Sequence, residues 1–312
     1  MKAIGVMEFG GPGALQAVDL PEPQAGPGEV RIRVRAAAVN PTDTGLRSGG
    51  RAALLRDIPP PYVPGMDAAG TLDQIGPDVM TDLAVGDDVM AIVVPQGAHG
   101  AYAEYIVVPA DSVARIPAGA THAAAATLPM NGLTVRLALD LLALQPGQYL
   151  AVTGAAGAVG GYAIQLGRAE GLHVIADAAP ADEQLVRDLG AEVVLPRGDD
   201  FPARVREARP GGADGVIDAA VLDGLALPAA RDGGRIATVR GYSGPAERGI
   251  TFHPVRVRDY AREGTRLDQL RRQAEAGQLT LRVARTLPAS QAAEAHQALE
   301  TGGVRGRIVL EF

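Results

Sequence analysis

Residues 150–177, LAVTGAAGAVGGYAIQLGRAEGLHVIAD, run from a strand through a turn of small residues into a helix and out to a second strand that ends on an acid. The apolar stretch Tyr149–Val152 reads as a covered strand, and Ala158–Arg168 carries apolar residues at helical spacing. Between them lie Gly154, Ala155, Ala156, Gly157, Ala158, Val159 and Gly160. Residues without bulky side chains let a backbone approach a pyrophosphate, and the first amides of a helix favour an anion. Against the G-x-G-x-x-G pattern, Ala155 takes the first glycine's place and Gly157 and Gly160 take the others. Asp177 follows at about the 20-residue spacing at which a carboxylate accepts hydrogen bonds from an adenosine ribose. A turn selected only for close helix packing is the alternative.

Working outward from this turn, the chain changes character. Up to residue 120 it reads as short strands punctuated by Pro and Gly, as at Glu29–Ala38, Gly86–Val94 and Ala101–Val108, which predicts a β-rich, barrel-like domain. Residues 121–254 alternate strand and helix and predict a parallel sheet covered on both faces, an α/β doubly wound domain. The tail, with helices near Asp259–Ala276 and Ser290–Glu300 and a final strand Gly306–Glu311, is expected to rejoin the first domain. The expected division is therefore 1–120 with 255–312, and 121–254, with the active site in the cleft between the domains.

Composition narrows the chemistry. The 312 residues carry 29 Lys and Arg against 36 Asp and Glu, a net charge of −7 that disfavours nucleic acid and anionic membranes as partners. There is no cysteine, which excludes disulfides, thiolate metal sites and cysteine nucleophiles, and the five histidines never fall at i, i+4 spacing. No apolar run approaches the ~20 residues of a membrane helix, and the amino terminus lacks a signal-peptide core, so a cytoplasmic location is expected.

Several ordered motifs, spread over the whole length, then carry a resemblance: MKAIGVMEFGGPGALQ at 1–16, AAAVNPTDTGLRSG at 36–49, VPGMDAAG at 63–70, VGDDV at 85–89, GAYAEYIVVPAD at 100–111, LPMNGLT at 128–134 and GRIVLEF at 306–312. The chain resembles the medium-chain dehydrogenase/reductase superfamily, most closely its zinc-independent quinone oxidoreductase branch. The resemblance implies a GroES-like catalytic domain plus a Rossmann domain, a homodimer joined by edge strands of the nucleotide domains, and NAD(P)H as cofactor. Where zinc-dependent members place their catalytic ligands, this sequence reads Asn40-Pro41-Thr42-Asp43, Gly65-Met66-Asp67 and Met130-Asn131-Gly132, and the cysteine-rich structural lobe is missing after Pro95. A metal-free site fits a hydride acceptor that is already electron-poor, a quinone or an enone.

By the same resemblance, Asn40 and Asp43 line the cleft near nicotinamide and substrate, Asn131 and Thr134 lie close to the nicotinamide, and Arg307 contacts the pyrophosphate. Local turn chemistry is the alternative for Asn40 and Asp43, and capping for Asn131. Tyr62 and Tyr102 are candidate phenolic proton donors, with packing as the alternative. Ala219, Val239 and Gly241 follow sheet strands at the carboxyl edge, where such sheets bind ligands. Asp177, with Asp182 where NADPH-using relatives carry Lys, tilts the expectation to NADH, and Arg197 keeps a 2′-phosphate in play. The leading expectation is a reductase of quinones or activated alkenes. A tailoring reductase of secondary metabolism and a non-catalytic nucleotide sensor are the alternatives.

Overall fold

The structure is a computed structural model that describes every residue except Ala246. From the amino terminus, β1 (Lys2–Val6) and β2 (Leu15–Asp19) form a small antiparallel pair. Next come β3 (Glu29–Ala38), α1 (Pro41–Arg47), β4 (Asp67–Ile75), β5 (Asp88–Ile92), β6 (Tyr105–Pro109), β7 (Val113–Arg115) and α2 (His122–Ala125). Strand β3 shows why this part is a sheet: Val30, Ile32 and Val34 are buried while Arg33 and Arg35 face outward, the period of two that a half-covered strand requires.

A helix that the sequence reading did not anticipate, α3 (Pro129–Leu142), follows. It precedes β8 (Tyr149–Thr153), α4 (Ala158–Ala169), β9 (His173–Ala178), α5 (Glu183–Asp188), β10 (Val193–Pro196), α6 (Phe201–Ala208), β11 (Ala213–Asp218), β12 (Ala230–Thr238) and β13 (Thr251–Pro254). Where the alternation of strand and helix predicts a helix between β11 and β12, the chain forms a 3-10 segment, Asp223–Ala229. Pro228 inside it and positive φ at Val221 and Asp223 are incompatible with a regular α-helix. The chain ends with α7 (Gly264–Glu275), β14 (Val283–Pro288), α8 (Ala292–Thr301) and β15 (Arg307–Glu311).

The chain divides into two compact units, residues 1–130, 261–275 and 281–312, and residues 131–260 and 276–280. Within the first, a seven-stranded sheet is formed among the described residues in the order β14-β15-β3-β4-β5-β7, with β6 also paired to β3. The carboxyl-terminal strand returns to the amino-terminal sheet as expected, Val309 pairing with Ala38 and Glu311 with Ala36 in antiparallel register. Its core includes Val30, Ile32, Leu72, Val89, Ile106, Tyr102, Ile308 and Leu310.

The second unit contains, among the described residues, a six-stranded parallel sheet in the order β10-β9-β8-β11-β12-β13. In units of its own strands this is 3-2-1-4-5-6, the doubly wound order whose direction of winding reverses between β8 and β11. Helix α4 follows β8, and its residues Gly160–Gly167 are all buried. The ends of β8 and β11 are tied by side chains: Thr153 Oγ1 donates to Asp218 Oδ1 at 2.7 Å and accepts from Ala220 N at 3.0 Å. Among the described residues no helix is long and apolar enough to cross a membrane.

Candidate functional site

The turn after β8 sits where the winding of the parallel sheet reverses, the place at which open α/β sheets hold ligands. Its left-handed residue is Gly154, φ +65°, and not the position the sequence comparison aligned with the first glycine, Ala155. A side chain at Gly154 would also meet the backbone of Ala219 and Ala220 at 3.2 Å. The working pattern is therefore Gly154-x-x-Gly157-x-x-Gly160. Gly157 caps α4 in extended conformation without a side-chain cap, and the first helical bond runs from Gly161 N to Gly157 O. The amides of Ala158, Val159 and Gly160 thus have no acceptor within the helix. A Cβ on Gly160 would fall 2.7 Å from Ala155 Cα and press on the Gly154 carbonyl oxygen. The turn is a backbone cradle at a helix amino terminus, and it fits a dinucleotide pyrophosphate.

Asp177, near the end of β9, departs from the expected ribose acceptor. Only 4% exposed, it accepts the Ala155 N–H on Oδ1 at 2.8 Å, so one carboxylate oxygen braces the turn. Ala178 is the last residue of the strand, and its carbonyl accepts the Arg197 N–H at 2.9 Å. The Arg197 side chain is exposed and makes no ion pair among the described residues. Asp182 is buried. Ala219 follows β11 and is half-buried, as is Val239 after β12, and Gly241 holds φ +82°.

Asn131 and Thr134 lie inside α3, so Asn131 is a helical residue and not a cap. Asn131 is 0% and Thr134 6% exposed.

In the first unit, Asn40 and Asp43 are brought together with a partner that the sequence reading used only as a lost metal position. Asn40 caps α1, and its N–H donates to Asp43 Oδ2 at 2.8 Å, one arm of a capping box. The Asn40 amide donates through Nδ2 to Asp67 Oδ2 at 2.7 Å. Asp67 Oδ1 accepts Met130 N at 2.6 Å, and Asp43 Oδ1 accepts Gly65 N at 3.0 Å. Asn40, Asp43 and Asp67 are each at most 1% exposed. Burial pushes the Asp43 carboxyl up to about 6 and that of Asp67 up to about 7, against the opposing pull of these hydrogen bonds and of the Arg307 charge. Turn and capping chemistry, the alternative for Asn40 and Asp43, is thus present.

Arg307, at the start of β15, is buried and exerts its charge on both carboxylates. Tyr62 departs from the free proton donor expected: its hydroxyl donates to Ile58 O at 2.9 Å, and its ring stacks on Phe9 with centroids 5.0 Å apart. Tyr102 is fully buried, its hydroxyl 3.3 Å from Asp43 Oδ2 and 3.1 Å from His296 Nε2. Thr153, Asp218 and His296 were missed in the sequence. The only signal for the first two was a polar residue closing each of two apolar strands, and His296 gave none.

Comparison with known proteins agrees with this architecture. Residues 26–118 match the alcohol dehydrogenase GroES-like domain, and residues 189–310 match a zinc-binding dehydrogenase family. The chain is 31% identical over 320 residues to an NADPH-dependent alkenal/one oxidoreductase of Arabidopsis thaliana chloroplasts, covering 99% of this chain and 79% of that one. A mycobacterial quinone oxidoreductase structure superposes with TM-score 0.83 at 31% identity, and a mycobacterial structure complexed with NADPH with TM-score 0.87 at 30%, each over the full length of both chains. Other relatives are longer: matched regions span 5% of a polyketide synthase component from Streptomyces venezuelae and 60% of a quinone-oxidoreductase from Triphysaria versicolor. With a GroES-like sheet, a doubly wound nucleotide sheet and full-length relatives of this kind, the chain belongs to the medium-chain dehydrogenase/reductase superfamily, alongside its quinone oxidoreductases.

Proposed function

We propose that this protein is an NAD(P)H-dependent reductase that reduces a quinone or an activated alkene. The observation that carries the reading is the Gly154–Gly160 turn, in which a left-handed glycine and a Cβ-free contact at Gly160 leave the first amides of α4 without a helical acceptor, at the end of β8 in a parallel sheet. We assign the pyrophosphate to Gly157, Ala158, Val159 and Gly160, and further cofactor contacts to Ala219, Val239, Gly241, Asn131 and Thr134. When bound, the reduced nicotinamide supplies the hydride. Asn40 and Asp43 act as a buried frame: with Asp67 they hold the turn after β3, the Gly65 backbone and the start of α3 in fixed relation. Tyr62 is assigned no proton transfer, because its one hydroxyl proton is donated to Ile58 O.

The proposed reaction uses no metal. Asn40, Met66 and Met130 stand where the superfamily's zinc-dependent members carry their ligands, and the Asn40 amide nitrogen, a donor, points at the Asp67 carboxylate. The chain contains no cysteine, and among the described residues no group of three His, Asp or Glu could hold a metal ion. The residues present do not fit zinc, and an electron-poor acceptor needs no Lewis acid to take a hydride.

For the coenzyme, the geometry favours NADPH over the NADH expected from Asp177. The Asp177 carboxylate is bonded to the turn through Ala155 N, the strand ends on the uncharged Ala178, and Arg197 is anchored by its own backbone to that residue with its guanidinium exposed. A cation beside a neutral strand end suits a 2′-phosphate. The edge position of β13 supports a homodimer joined strand to strand, which light scattering tests.

Titration with NADH and NADPH, followed by turnover of 1,4-benzoquinone, 9,10-phenanthrenequinone and a simple enone, tests the reading. Tight binding with turnover is expected. Binding without turnover on any acceptor overturns the reductase reading in favour of a nucleotide sensor.

A further inference from the structure

Tyr102 and His296 are both 0% exposed, and the proposed hydride transfer uses neither. The Tyr102 hydroxyl lies between Asp43 Oδ2 at 3.3 Å and His296 Nε2 at 3.1 Å, with the two rings edge-on at 76°. A phenol has one proton, so the direction of this chain is binary. Either His296 donates to Tyr102 and Tyr102 to Asp43, or Tyr102 donates to His296 and Asp43 loses a donor.

The neighbours of the imidazole decide. His296 Nδ1 is buried with no hydrogen-bond partner among the described residues, and so is Nε of Arg47. The Arg47 charge bears on the imidazole, which burial already holds in its neutral form. With the proton on Nε2, both contacts of the Tyr102 hydroxyl are hydrogen bonds, whereas a proton on Nδ1 would be a buried donor without an acceptor and would cost Asp43 its donor. The ring proton therefore belongs on Nε2, aimed at Tyr102. Arg47 is itself fixed by Glu300, at 3.3 and 2.5 Å. Helix α8 thus meets α1 twice, Glu300 binding Arg47 directly and His296 reaching Asp43 through Tyr102, with each helix spacing its two residues i, i+4.

We propose that His296 is a positioning residue: its Nε2–H fixes the polarity of a buried chain through Tyr102 to Asp43, keeping Asp43 an acceptor for Asn40 and Gly65. The proposal rests on the reading of Asn40 and Asp43 as the frame of a reductase site and adds what orients that frame. The charged groups facing the chain are Asp67 and Arg307 on the Asp43 side and Arg47 with Glu300 on the His296 side.

Nitrogen NMR of the wild-type protein reads the tautomer directly, with a protonated Nε2 and a bare Nδ1 expected. In kinetics, Tyr102→Phe and His296→Leu are expected to lower kcat about tenfold, the loss of one buried hydrogen bond, with KM for the dinucleotide unchanged. The acid limb of the pH profile moves upward as Asp43 loses a donor. His296→Gln, whose amide can replace Nε2–H, restores most of the rate. An Nδ1–H tautomer overturns the proposal, as does a His296→Leu enzyme with the wild-type rate and pH profile. Should His296→Leu fail to fold, Tyr102→Phe, which removes one oxygen, and the spectrum carry the decision. A wild-type protein without turnover refutes the reductase reading, and the tautomer still decides this proposal.

Discussion

Asp177 Oδ1 lies 2.8 Å from the Ala155 amide nitrogen, so the acid near the end of β9 closes the turn that ends β8. Its removal therefore perturbs the cradle before it perturbs selectivity. Asp177→Ala is expected to weaken NADH and NADPH binding alike, by about tenfold for one charge-assisted hydrogen bond. A fluorescence titration checks this. A selective gain for NADPH alone would show that the carboxylate faces the ribose instead.

Arg197 carries the opposite expectation. Its backbone is tied to Ala178 and its exposed guanidinium makes no ion pair among the described residues. Arg197→Glu should raise the Kd for NADPH at least about tenfold and leave that for NADH nearly unchanged. Equal effects on both coenzymes would remove Arg197 from phosphate recognition.

Gly160→Ala tests the cradle itself. The added methyl meets Ala155 Cα at 2.7 Å, where only backbone can give way. An overpacking cost of about 1–3 kcal/mol in stability is expected, with dinucleotide binding weakened at least about tenfold. Thermal unfolding and titration of the same sample separate the two losses.

The buried carboxylates make stability depend on pH. Burial raises Asp67 from 3.8 to about 7, so folding takes up a proton between these values, and this contribution to stability grows as pH falls from about 7 to about 4. Asp43, raised to about 6, acts in the same sense. His296, lowered from 6.5 to about 3 by burial and by Arg47, acts against them, since the unfolded chain binds its proton first. Between pH 5 and 6, Asp67→Asn should make the slope of unfolding free energy against pH more positive by about 1.4 kcal/mol per unit, one proton's worth. Urea denaturation at the two pH values measures it, and an unchanged slope would mean that Asp67 is already ionised in the fold.

Much of this architecture was legible in the sequence. Strand β3 follows its predicted limits, Glu29–Ala38, and helix α4 runs one residue past the predicted Ala158–Arg168, because each shows a clean period. The nucleotide turn was legible because backbone chemistry there excludes side chains. Helix α3 was not, since its segment Pro129–Leu142 is apolar nearly all round and shows no single face. The orientation of Asp177 was lost for a related reason: spacing along a strand gives the residue near its end, but the pleat decides which face the side chain takes. Partners such as Tyr102 and His296, 194 residues apart, leave no local pattern to read.

That separation also sets an order of events during synthesis. Strand β15, helix α8 and the residues His296, Glu300 and Arg307 leave the ribosome after the whole of the parallel sheet. Until β15 pairs with β3, Asp43 and Asp67 lack the Arg307 charge, and the Tyr102 hydroxyl bound to Asp43 lacks its contact with His296 of α8. The nucleotide-binding unit can thus form first, while the frame around Asn40 is completed only by the last strand, which acts as the closing stitch of a unit begun some three hundred residues earlier.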